Sequence, residues 1–80
     1  MSSSFILANF NALRTDDLIT IAKYAVNITP TAEEAHLWLG WGYFRKGDPV
    51  SAEAEFRKAL QQNVNYSDAK YALNYLATTP

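Results

Sequence analysis

Apolar positions along this chain recur at helical rather than strand spacing. Leu18, Ile21, Ala22 and Ala25 stand at i, i+3, i+4 and i+7, and five helices follow from the pattern. The first covers about residues 3–13, with Phe5, Ile6, Leu7, Phe10 and Leu13 as its apolar positions. The second starts after Thr15, read as its N-cap, and ends before Pro30. Asp16 and Asp17 fall in its first turn, where the helix dipole favours negative charge. Thr31-Ala32-Glu33-Glu34 has the form of a capping box: Thr31 accepts from the Glu34 backbone N–H and the Glu34 carboxylate reaches back. The third helix continues to Lys46 and stops at Gly47, a natural C′ residue. Asp48 then caps a fourth helix that runs to about Gln62. Pro49 sits in its first turn, where a missing N–H costs nothing. Glu53 and Arg57 can pair at i, i+4 on its wet face. Ser67 and Asp68 open a fifth helix that fades near Ala77, and the last three residues read as frayed. No strand pattern and no linker interrupt the series. Short connections make successive helices antiparallel neighbours.

The pattern also repeats. Ala25-Val26 recurs as Ala59-Leu60, and Ala35 with Leu39 recurs as Ala69 with Leu73, thirty-four residues later in each case. A period of that size marks stacked supersecondary units that bury their apolar faces on one another.

The stretch 33–66 resembles one complete tetratricopeptide (TPR) repeat. The pattern of that family is carried by His36, Leu39-Gly40, Tyr43, Gly47-Asp48, Ala52, Phe56, Ala59-Leu60 and Val64. It departs from the family at His36, where Trp is usual, and at Val64, where Pro is usual. Residues 3–30 resemble a degenerate preceding repeat, in which Leu18 stands where Ala52 does and Ala22 where Phe56 does. Large and small are exchanged there, which a reversed fit would accommodate. Residues 67–77 resemble a C-terminal capping helix or the first helix of a further repeat. The resemblance implies an all-α fold of antiparallel helix-turn-helix repeats in a right-handed superhelix, filling residues 1–80 as a single domain. Gly40 costs roughly 1 kcal/mol inside a helix and so needs a packing reason. Gly40 and Ala52 would be the points of closest backbone approach, with Tyr43 and Phe56 filling the volume beside them.

A TPR array lines a groove mainly with the first helix of each repeat. The resemblance therefore assigns the protein-binding groove to Glu34, Leu37, Trp41, Phe44, Arg45, Asp68, Tyr71 and Tyr75, continued at the N-terminus by Leu7, Phe10 and Asn11. Spacing supports one face independently, since Leu37, Trp41 and Phe44 fall at i, i+4, i+7. The third helix is apolar nearly all round, which predicts contacts on both of its sides. The competing reading makes these aromatics core. His36 reads as a ring packed at a helix interface with one nitrogen hydrogen-bonded. It lacks the second histidine, thiol or spaced carboxylates of a metal or catalytic site. Trp38 either covers the preceding helix pair or is exposed.

Composition narrows the classes. Eighty residues, 49% of them hydrophobic, allow one small domain. A net charge of −1 gives no field to attract nucleic acid or anionic lipid. The absence of cysteine excludes disulfides and thiolate metal sites and fits a reducing, cytoplasmic location. The longest apolar run, 37–44, is short of the roughly 20 residues that insertion in a membrane needs. Phe5-Ile6-Leu7-Ala8 lacks the basic flank of a signal peptide. Asn27-Ile28-Thr29 and Asn65-Tyr66-Ser67 match the N-glycosylation pattern, which arises often by chance. No phosphate loop, nucleophile elbow or HExxH is present, so neither an enzyme nor a cofactor is expected. The sequence predicts an interaction scaffold for a protein or peptide partner. The apolar third and fifth helices add self-association as a homodimer. The alternatives are a structural spacer or cap of a larger TPR protein, with no ligand of its own, and a small regulatory subunit of an enzyme.

Overall fold

A computed structural model describes residues 13–78 of the chain, and these form four α-helices without a strand. They are α1 (Thr15–Ile28), α2 (Glu33–Lys46), α3 (Pro49–Gln62) and α4 (Ser67–Thr78). The expected helix at 3–13 lies outside the described residues.

Each helix packs mainly on its sequence neighbours: α1 on α2, α2 on α3, and α3 on α4. The pairs run antiparallel. Glu33, at the start of α2, meets Asn63 just past the end of α3. Leu18 and Ile19, early in α1, lie against Gly42, late in α2. Pro49 and Val50, opening α3, lie beside Leu76 and Ala77, closing α4.

The termini decide how tightly the hairpins turn. Gly47 ends α2 with φ 90°, the left-handed conformation that favours glycine. Its N–H and that of Asp48 cap the Phe44 and Tyr43 carbonyls at 3.0 and 2.9 Å. Asp48 caps α3 by accepting from the Ser51 N–H at 3.1 Å, with Pro49 following as expected. Two expected caps do not form. Arg14, not Thr15, precedes α1, and α2 starts after Ala32 with no side-chain cap. The reason lies in the turn before α2, where the Ala32 N–H bonds the Thr29 carbonyl at 3.0 Å. That turn delays the helix by one residue and carries Thr31 out of capping reach. At the other end, Thr78 is ordered into α4, its hydroxyl donating to the Asn74 carbonyl at 3.0 Å.

Two apolar clusters flank α2. Ile19, Ala22 and Leu39 form one with α1, and Trp38 packs over it beside Val26 and Tyr43. Trp38 therefore packs over α1; the other helix of the preceding pair lies outside the described residues. Leu37, Ala52, Phe56, Ala59, Ala69 and Ala72 form the second, shared by α2, α3 and α4. Phe56 and Leu18 are the largest side chains wholly removed from water. Burying such a side chain contributes roughly 1.5–3 kcal/mol.

Glycine makes both contacts close. A Cβ on Gly40 would stand 2.6 Å from Phe56 Cδ1, and one on Gly42 would stand 2.9 Å from Ile19 Cγ1. Neither distance is tolerable, so each glycine is a socket for one neighbour's large side chain. The Gly40 contact is with a ring rather than with the backbone at Ala52. Gly42 is a second socket, facing α1, where Leu18 and Ile19 supply the bulk. The reversed fit expected within 3–30 involves the helix at 3–13, which lies outside the described residues.

Bonds from the Ser51 hydroxyl and backbone N–H hold the Asp48 carboxyl below its ordinary 3.8. A depressed carboxyl pKa contributes stability above the unfolded-state value and loses it as pH falls through the folded value. Asp48→Asn, which keeps a capping oxygen, should flatten the fall of the thermal midpoint as pH drops through and below the ordinary 3.8. An unchanged acid slope in that variant would show that the cap is not the titrating group.

Candidate protein-binding face

The outward side of the second cluster carries an aromatic patch. Trp41 meets Phe44 at 5.7 Å between ring centroids and Tyr75 at 5.8 Å, both edge-on. Phe44 meets Tyr75 at 5.5 Å, closing a triangle across α2 and α4. Phe56 lies under it, 5.0 Å from Trp41. Tyr71 adds a fifth ring, tilted against Tyr75 at 6.4 Å. Edge-to-face pairs of this kind contribute about 0.5–1.5 kcal/mol beyond area burial.

Depth divides the expected site residues. Leu37 is buried, with 3% of its surface exposed, and belongs to the core rather than to a surface. Trp41 and Phe44 are half-buried, packed against that core. Tyr71 and Tyr75 are 64% and 39% exposed. Leu7, Phe10 and Asn11 lie outside the described residues.

Charge sits at the two ends of the patch. Glu34, in the first turn of α2, and Asp68, in the first turn of α4, are both exposed. Between them Tyr66 is pushed well above its ordinary 10, first by burial and then by Glu34, Asp68 and Glu33. Three carboxylates thus surround one end. At the other, Arg45 is exposed and its Nη2 donates to the Leu13 carbonyl at 2.8 Å. The structure brings Trp41, Phe44, Tyr71 and Tyr75 together, and sets Glu34 and Asp68 apart from Arg45.

A buried polar network lies behind this face. His36 is 6% exposed. Its Nε2 donates to the Pro30 carbonyl at 2.7 Å, and its Nδ1 lies 2.9 Å from Glu55 Oε1. Glu55, itself buried, accepts at its other oxygen from Lys58 Nζ at 3.1 Å. Both ring nitrogens are therefore engaged, where one was expected. The network ties the turn before α2 to α2 and α3. Its signal is present in the sequence: Glu55 falls within the Ala52, Phe56, Ala59 stripe, and a carboxylate there requires a partner. Among the described residues no group of three metal-ligating side chains converges. No described helix is long and apolar enough to cross a membrane.

Compared with protein-family models, with curated proteins and with solved structures, the chain matches none.

Removing one partner of a buried hydrogen bond leaves the other's polar atom unsatisfied. His36→Ala and Glu55→Ala should each cost about 1–3 kcal/mol in urea unfolding, and the double variant clearly less than their sum, by more than about 0.5 kcal/mol. Additive losses would show that the two side chains act independently.

Proposed function

We propose that this chain is a TPR-type interaction module, with no chemistry of its own, that binds a peptide, a helix or a second copy of itself through the aromatic face. The observation that carries the reading is the position of Tyr71 and Tyr75. They stand exposed on α4, while Tyr75 is joined edge-on to the half-buried Trp41 and Phe44 of α2. Rigid, partly exposed aromatics are the residues that dominate binding energy at protein interfaces. The core holds Trp41 and Phe44, and these fix Tyr75 edge-on, so little freedom of these three rings remains to be lost on binding. The antiparallel sequential packing and the glycine sockets support a stacked-repeat architecture. The thirty-four-residue recurrence supports it independently.

A second reading, a spacer or cap within a larger helical array, is favoured by a different surface. Pro49, Val50, Leu73, Leu76 and Ala77, with the paired Glu53 and Arg57, line a cleft of about 260 Å³ between α3 and α4. Val50 is 81% exposed there. A further stacked helix would cover the apolar side chains of this cleft.

Selection of phage-displayed random 12-residue peptides tests the first reading. Peptides enriched on the wild type should bind Tyr71→Ala or Tyr75→Ala at least about tenfold more weakly by calorimetry, a loss of roughly 1.4 kcal/mol. Tyr71→Ala should leave the unfolding free energy measured in urea within about 0.5 kcal/mol of wild type. No enrichment, together with a 9.0 kDa monomer in light scattering, would favour the spacer.

A further inference from the structure

Resting on that reading, we propose that the occupant of the aromatic face is an extended peptide segment with an apolar anchor and a Lys or Arg about three residues away, its basic group lying between Glu34 and Asp68. The anchor end is fixed by the rings: Trp41, Phe44 and Tyr75 converge across α2 and α4, with Tyr71 standing free of the core beside them. The basic end is fixed by charge. Glu34 and Asp68 are exposed on the first turns of the same two helices, and neither pairs with a cation among the described residues. Their combined field reaches Tyr66, whose hydroxyl both of them, with Glu33, disfavour ionising. Glu33 is the less available of the three, because its carboxylate accepts from Asn63 Nδ2 at 3.4 Å.

The spacing follows from helix geometry. Glu34 precedes Trp41 by seven residues, and Asp68 precedes Tyr75 by seven. At 1.5 Å per residue both carboxylates lie about 10 Å along the face from the rings. An extended chain covers that distance in about three residues.

The same phage-displayed 12-mers supply the test. The enriched peptides should carry Lys or Arg about three residues from an aromatic or leucine. Replacing that cation by Glu should weaken binding roughly tenfold at low ionic strength, since two favourable surface pairs become two unfavourable ones. Selection on the Glu34→Lys, Asp68→Lys variant should enrich acidic peptides instead. Both positions are exposed, and circular dichroism checks that the variant is folded. Peptides that depend on Tyr71 but show no charge preference would overturn this inference and leave the interaction reading standing. Failure to enrich any Tyr71-dependent peptide would overturn both. A dimer in light scattering that Glu34→Lys dissociates would replace the peptide by a second copy.

Discussion

The Phe56 ring resting where Gly40 has no side chain sets the distance between α2 and α3, and the other contacts are built around that distance. Gly42 receives Ile19 in the same manner from the other side. Two residues along an α-helix amount to about 200° of rotation. The two sockets therefore face nearly opposite directions, and one helix becomes the shared wall of two hairpins. This is why α2 is apolar nearly all round and why it contributes to both clusters.

A helix enclosed on two sides has little surface left for other work. On α2 that surface is the strip bearing Glu34, Trp41, Phe44 and Arg45, and α4 extends it with Asp68, Tyr71 and Tyr75. Close packing at Gly40 lets Trp41 settle edge-on against Phe56, and this holds the upper rings at fixed separations. The His36–Glu55–Lys58 network does the corresponding polar work behind the face. It joins the turn at Pro30 to α3 through His36. Aromatic face and core are thus consecutive layers of one arrangement.

Much of this was legible in the sequence, and what was not has physical causes. The boundaries at Gly47, Asp48 and Pro49 follow from residues whose local chemistry leaves few options: a left-handed glycine, a carboxylate cap and a proline in the first turn. The start of α2 was misread because a backbone turn over 29–32 competes with the Thr31 side chain and wins. Leu37 shares a helical face with Trp41 and so reads as groove. Spacing along one helix cannot show how deeply Ala69 and Ala72 of α4 bring their backbone in over it. Gly42 gave no separate signal, since a socket is recognised only once the residue filling it is known. Glu55 did give one, being a lone carboxylate in an alanine–phenylalanine stripe.

The dependence on the Gly40 socket is tested most directly by a double-mutant cycle in urea unfolding. Gly40→Ala alone should lower stability by about 1–3 kcal/mol despite its better helix propensity, because the ring has nowhere to go. In a Phe56→Leu background, where the side chain is shorter, the same alanine should cost much less, giving a coupling above about 1 kcal/mol. Equal costs in the two backgrounds, or a gain from Gly40→Ala alone, would contradict the account.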